Sequence, residues 1–126
     1  MSRYKEWLDR AYSSLDVARH RPTELVCYED LCYQAQQAAE KGLKSLLVFY
    51  GTDPPKTHNL HILPKKLEEY TEIPDHIIDV VKLTPYATIK RYPCEYEIMT
   101  KNEYEQNLSI AEACLLWIEN KLAPYV

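Results

Sequence analysis

The sequence contains very little glycine, with only two glycines among its 126 residues. It also lacks the alternation of apolar and polar residues that half-buried strands require. Its long segments instead repeat their apolar residues at intervals of three and four, which is the helical period. These features exclude a β-sheet protein and predict an all-α domain.

Several kinds of chemical motif are missing. The four cysteines contain no Cys-x-x-Cys pair, so we interpret them as small buried apolar residues rather than as a disulfide or zinc framework. His58 and His61 have the i, i+3 spacing that a shared metal would accept, but no Glu sits between them. There is no glycine-rich phosphate loop and no nucleophile with a plausible triad. We therefore expect no metal and no cofactor.

No apolar run is long enough to span a bilayer, and the start, "MSRYKEWLDR", has no apolar signal region. We expect one domain over residues 1–126, a cytoplasmic location and no membrane association. The net charge of −4 argues against indiscriminate nucleic-acid binding. Residues 41–91 nevertheless hold eight Lys or Arg against six Asp or Glu, so an anion site should draw on the middle of the chain.

The apolar pattern and the helix-end signals predict six helical segments. The predicted helices run from about Arg3 to Arg19, from about Glu24 to Tyr50, from a cap at Thr57, over residues 73–83, from Pro85 to Tyr92 with Thr84 as cap, and after Thr100. Gly51 is the expected left-handed end of the second helix. Pro64 should bend or shorten the third helix. Thr100 and Glu103 form a capping box for the last helix.

The second predicted helix, "YEDLCYQAQQAAEKGLKSLL", has small residues in its apolar arc, which allow another helix to approach closely. Asp30, Gln34, Gln37 and Lys41 form a polar stripe along one border of that arc. On residue spacing alone, this stripe is a solvated face with helix-stabilising pairs.

This helix, followed by "PPKTHNLHIL" and "YATIKRYP", resembles the signature series of HEPN domains, the higher eukaryotes and prokaryotes nucleotide-binding family. The resemblance extends over essentially the whole chain. It implies an antiparallel bundle of four main helices with an extra short helix, commonly dimeric. In prokaryotes such proteins are often paired with a minimal nucleotidyltransferase, and several branches are RNA-cleaving toxins.

The toxin branches carry Arg, then four to six residues, then His. Arg91 matches the Arg, but the window for His holds Tyr96, Glu97 and Ile98. Tyr96 could donate a proton, although its ordinary pKa near 10 makes it a poor base at neutral pH. Arg91 and Tyr96 are therefore weak catalytic candidates, because the motif histidine is missing.

The remaining predictions concern binding. The candidate nucleotide or RNA contacts are Arg91, Tyr92, Lys41, Lys44, His58, Asp30 and Gln37. Three roles stay open for Arg91: meeting an anion in a cleft, an internal ion pair with Asp30 or another acid, or catalysis. His58 either binds an anion or orders its loop.

The last helix carries a second apolar stripe, Ile110, Cys114 and Trp117. It is either covered by the first helix or forms a homodimer interface, and the resemblance favours the dimer. The leading hypothesis for function is a HEPN subunit that binds nucleotide or RNA and acts with a minimal nucleotidyltransferase in a toxin–antitoxin-like pair. The alternatives are a metal-independent endoribonuclease toxin using Arg91 and a noncatalytic dimeric adaptor.

Overall fold

The computed structural model describes residues 3–20, 26–87 and 99–125. The regular elements in these ranges are all helical: α1, Arg3–Ala18; α2, Tyr28–Phe49; α3, Ile62–Leu67; α4, Asp75–Ile78; a 3-10 helix, Asp79–Ala87; α5, Lys101–Leu122; and a final 3-10 turn, Ala123–Tyr125. The prediction of an all-α bundle is confirmed.

Helix α1 runs antiparallel to both α2 and α5. Near the start of α1, Ser45 Oγ of α2 donates a hydrogen bond to the carbonyl oxygen of Tyr4 at 2.8 Å. At the other end of α1, the Tyr104 hydroxyl of α5 donates to the carbonyl oxygen of Ala18. Among the described elements, α1 and α2 form the most extensive interface, so residues from these two helices form a continuous surface.

Gly42 sets the distance between α2 and α5. A Cβ atom at this position would overlap Leu115 Cδ2 and lie 2.9 Å from Ile118 Cδ1. Both of these α5 side chains are buried in the main core. The close helix approach predicted from the small residues of α2 is therefore present, and it depends on the missing side chain at this position.

Two helix ends follow the local sequence signals. The Thr100 side chain accepts a hydrogen bond from the Glu103 N–H at 3.1 Å, as the capping box requires. At the end of α2, Gly51 adopts a φ of +85°. The N–H groups of Gly51 and Thr52 donate to the carbonyl oxygens of Val48 and Leu47, which is a Schellman motif.

Two predicted boundaries are wrong because side-chain oxygens have other partners. Helix α3 begins at Ile62 rather than near Thr57, whose hydroxyl accepts from the N–H of Asn59 in a local turn. The predicted break at Thr84 is absent, since the 3-10 helix continues through Thr84 and Pro85. The Thr84 hydroxyl instead accepts from the N–H of Leu60 at 3.0 Å, which ties the loop before α3 to the 3-10 helix.

Candidate functional site

Glu40 of α2 is the centre of a buried polar network. Its side chain is only 5% exposed. One carboxylate oxygen, Oε1, accepts from Gln36 Nε2 at 3.0 Å and lies 2.9 Å from His58 Nδ1. The other oxygen, Oε2, accepts from Lys44 Nζ at 3.1 Å. A carboxylate removed from water is stabilised by such a set of donors. The hydrogen bonds of the network therefore compensate for the burial of the Glu40 charge.

Lys44 is as deeply placed as its acidic partner. Its side chain is 8% exposed, and its ammonium lies 5.7 Å from the centre of the Trp7 ring of α1. The carboxylate and the aromatic face both stabilise the cation. Lys44 was predicted to contact a nucleotide. In the structure its charge is instead paired within the chain.

Lys41 points across to α1, where its Nζ donates to Ser14 Oγ at 3.0 Å. Burial lowers the pKa of the Lys41 ammonium below its ordinary value; the charge of Glu40 opposes this effect and that of Arg10 adds to it. Because Glu40 acts on Lys41 more strongly than Arg10 does, the lowered pKa of this half-buried ammonium comes from its burial. An added anion beside Lys41 would offset this desolvation.

A shallow cavity of about 240 Å³ lies on the α1 side of this region, lined by Glu6, Trp7 and Arg10. Arg10 is exposed, so its guanidinium is available at the rim. We call the region formed by Trp7, Arg10, Lys41 and Lys44 the α1–α2 basic groove.

His58 presents an imidazole to solvent while the backbone around it is fixed. The ring is 64% exposed, although its Nδ1 contacts Glu40. The carbonyl oxygen of His58 accepts from Gln36 Nε2 at 3.2 Å, and the next residues are held by the Leu60 to Thr84 hydrogen bond. The position of the ring is thus set by α2, and its outer edge is free to meet a ligand.

The other two predicted contacts on α2 do not join this groove. Asp30 is exposed near the start of the helix and accepts from the Cys27 thiol at 3.2 Å. It precedes Glu40 by ten residues, which corresponds to roughly 15 Å along a helix. Gln37 is buried and donates to Gln36 Oε1 at 2.7 Å, so it supports the network from inside.

The described ranges contain no group of three or more His, Cys, Asp or Glu side chains that could hold a metal ion. Nor does any helix in them combine the length and the apolar character needed to cross a membrane.

The comparison with family profiles decides which family this is, since the HEPN domain profile matches residues 4–121. The chain belongs to the HEPN domain family. The predicted family is confirmed, and the polar network and the basic groove are features of a HEPN bundle.

Two solved structures resemble this HEPN chain over almost its whole length. A protein of Thermus thermophilus is 31% identical, with 97% of this chain and 100% of that chain aligned at a TM-score of 0.84. An archaeal HEPN homologue is 28% identical, with 97% and 99% of the two chains aligned at a TM-score of 0.76. No curated protein gives a significant match.

The predicted catalytic candidates of this HEPN chain, Arg91 and Tyr96, lie outside the described residues, as does Tyr92. The described flanks of that segment are well anchored. The Tyr86 hydroxyl donates to Glu103 Oε1 at 2.7 Å, and the Met99 N–H donates to Glu29 Oε1 at 3.0 Å. Both anchors lie near the first turns of α5 and α2.

Glu29 itself is buried. Burial acts to raise the pKa of its carboxyl, but hydrogen bonds from the N–H groups of Met99 and Glu29 outweigh this effect. The Glu29 pKa is lowered as a result.

The second apolar stripe of α5 is not uniformly exposed. Cys114 is fully buried within the chain, and burial raises the pKa of its thiol to about 12. Its place in the core excludes it as a surface contact, because its side chain is already covered by its own chain. Ile110 and Trp117 are half-buried at the edge of the core, and they remain predicted dimer contacts.

Sequence reasoning does not single out Glu40, Trp7 or Arg10. Glu40 and Lys44 do carry a visible signal, an i, i+4 pair with the acid first. The contact between Glu40 and His58 joins residues 18 positions apart and depends on the path of the intervening loop, for which the sequence has no comparable signal.

Proposed function

We propose that this protein is a HEPN subunit that binds nucleotide or RNA at the α1–α2 basic groove and acts with a minimal nucleotidyltransferase partner. The observation that carries the proposal is that Arg10 lies close to Lys41, while Trp7, which contacts Lys44, lines one cavity with Arg10 and Glu6. Membership in a family known for nucleotide binding supports the choice of ligand.

The cations of the groove have different roles in this proposal. Arg10 is exposed and can grip a phosphate with two parallel hydrogen bonds. Lys41 is half-buried, and an arriving phosphate offsets the desolvation of its ammonium. Lys44 stays paired with Glu40 and holds the edge of the groove through Trp7.

Titration of a short fluorescent RNA and of a labelled nucleotide tests the proposal. We expect binding that weakens steeply with added salt, because phosphate contacts release counterions. Lys41→Glu should weaken binding about tenfold or more, since it reverses one charge in the groove. The matched control is Lys101→Glu, a reversal of the same kind at an exposed position on α5.

Two results would contradict the proposal. One is equal weakening by the Lys41 and Lys101 variants, which would indicate only a general charge effect. The other is complete absence of binding at low salt by the folded protein, which would favour the noncatalytic adaptor. Copurification of a coexpressed nucleotidyltransferase with the wild-type chain tests the partner separately.

A metal-independent endoribonuclease is the second candidate, and the Glu40–His58 contact favours it. A carboxylate at Nδ1 orients an imidazole for proton transfer at its other nitrogen. RNA cleavage in the presence of a chelator should then be lost in both Arg91→Ala and His58→Asn. Cleavage that is absent in the wild type would exclude this candidate.

We further propose that the protein is a homodimer with Ile110 and Trp117 at the interface. Sizing by light scattering should give about twice the 14.8 kDa chain mass. A mass that stays monomeric at all concentrations would contradict the proposal.

A further inference from the structure

The shallow cavity on α1 brings an aromatic ring, a carboxylate and a guanidinium together, since Glu6, Trp7 and Arg10 line it. Trp7 is half-buried, and its contact with the Lys44 ammonium helps to hold the indole in place. An accessible indole is a stacking surface for a flat ring, and every nucleobase has such a face. The volume of about 240 Å³ is below the range of about 300–1,000 Å³ for whole small-molecule sites, which suits one base rather than a complete nucleotide.

Glu6 and Arg10 are four residues apart on α1, which is the spacing at which opposite charges on a helix usually pair. In the part of the chain that the structure describes, however, neither side chain makes an ion pair or a hydrogen bond. Both side chains are also exposed. The cavity therefore offers a ligand both a carboxylate acceptor and a guanidinium donor.

A second cavity of about 490 Å³ adjoins the first, because Glu6 and Arg10 line both of them. It leaves room for the sugar and the phosphate of a nucleotide whose base is stacked on Trp7. Arg10 is the cation that can meet this phosphate, and it lies close to Lys41. Glu6 is then left to contact the base, because a carboxylate accepts hydrogen bonds and repels phosphate.

The four RNA bases differ in what their Watson–Crick edges offer to a carboxylate. Guanine presents two adjacent donors, the N1–H and the N2 amino group, which match the two oxygens of a carboxylate. Adenine and cytosine place a ring-nitrogen acceptor beside their amino group, and uracil places its single N–H between two carbonyl oxygens. Since a carboxylate has no hydrogen to donate, only guanine among the four can bond to both oxygens of Glu6.

We infer that the α1–α2 basic groove selects guanine nucleotides, with the base stacked on Trp7, its N1–H and amino group donating to Glu6, and its phosphate bound by Arg10. This inference rests on the proposed function, the binding of nucleotide or RNA at the groove, and adds the base that the groove recognises. Glu6 determines the specificity, whereas Trp7 and Arg10 contact parts that all nucleotides share.

Titration of the isotope-labelled protein followed by NMR, at low salt, tests the inference with the monophosphates of guanosine, adenosine, cytidine and uridine. Inosine monophosphate is a fifth probe, which keeps the N1–H of guanine but lacks the amino group. We expect guanosine monophosphate to bind about tenfold or more tighter than the adenosine, cytidine and uridine compounds, with inosine monophosphate between them.

Glu6→Gln should reduce the ratio of guanosine to adenosine monophosphate affinity to about threefold or less. The ratio is the informative quantity, because the loss of one negative charge by itself strengthens the binding of all the phosphates alike. The matched control is Asp16→Asn, which removes an exposed carboxylate elsewhere on α1 and should leave the ratio unchanged. The amide spectrum of each variant reports whether it is folded.

Equal affinity for the four nucleotides would overturn the inference while leaving nucleotide binding at the groove intact. An unchanged affinity ratio in Glu6→Gln would do the same, as would inosine monophosphate binding as tightly as guanosine monophosphate. If no nucleotide bound to the folded protein at low salt, the proposed function would fail and this inference with it.

Discussion

His58 Nδ1 lies 2.9 Å from Glu40 Oε1, and this contact joins an exposed imidazole to a buried carboxylate. It links the loop before α3 to the middle of α2. The same carboxylate binds Lys44, so a change at Glu40 affects both the core of the bundle and the surface around His58.

Glu40→Gln should destabilise the fold by about 3 kcal/mol, because it leaves the Lys44 ammonium buried without its counterion. Chemical denaturation monitored by circular dichroism measures the free energy of unfolding. Lys44→Met on the Glu40→Gln background is the informative control, since it removes the orphaned charge and should recover part of the loss. If Glu40→Gln alone were as stable as the wild type, the pairing of Glu40 with Lys44 would not have the stabilising role described here.

Gly42→Ala should destabilise the fold by about 1–3 kcal/mol, because the added methyl group would overlap Leu115 and crowd Ile118. Helix propensity alone predicts the opposite sign, a gain of about 0.5–1 kcal/mol for alanine over glycine within a helix. The sign of the change in unfolding free energy therefore decides between steric contact and propensity. Adding Leu115→Ala to Gly42→Ala should relieve part of the clash.

Thr100→Ala should cost about 1 kcal/mol, since the Glu103 N–H loses its acceptor at the first turn of α5. Thr100→Ser retains a hydroxyl and should stay close to the wild type. Thermal and chemical denaturation of the two variants measure the difference. Equal destabilisation by serine and alanine would show that the methyl group, not the cap, is responsible.

Glu29 should make stability depend on acid pH. Its carboxyl has a lowered pKa in the folded state, so its contribution is present above the unfolded pKa and is lost as the pH falls through the folded value. The loss begins near the ordinary value of 4.5 and continues below it. The stability difference between wild type and Glu29→Gln should therefore shrink on acidification. A difference that is constant from neutral pH to about pH 3 would contradict this assignment.

The features of the fold that depend on neighbouring residues could be predicted from the sequence. The Thr100–Glu103 cap and the Gly51 turn each involve residues within one or two helical turns. The predicted break at Thr84 was wrong because a distant donor, the N–H of Leu60, competes for the same hydroxyl. A long-range partner of this kind has no local pattern.

In the candidate site, too, the residue types could be predicted from the sequence, whereas their long-range contacts could not. Lys41 and His58 were predicted because basic and imidazole groups suit an anion, and the structure leaves the exposed edge of His58 available. Lys44 was chosen on the same grounds, but its burial depends on Trp7 from another helix. Which of several similar charges faces solvent is decided by tertiary packing.

The position of Trp7 beneath the Lys44 ammonium gives the α1–α2 basic groove an intrinsic optical reporter. The emission of an indole responds to charges near its ring. The chain has two tryptophans, so Trp117→Phe leaves Trp7 as the only tryptophan. The fluorescence spectrum of that variant then follows the electric field in the groove, and an anion arriving beside Lys41 should shift it without any label.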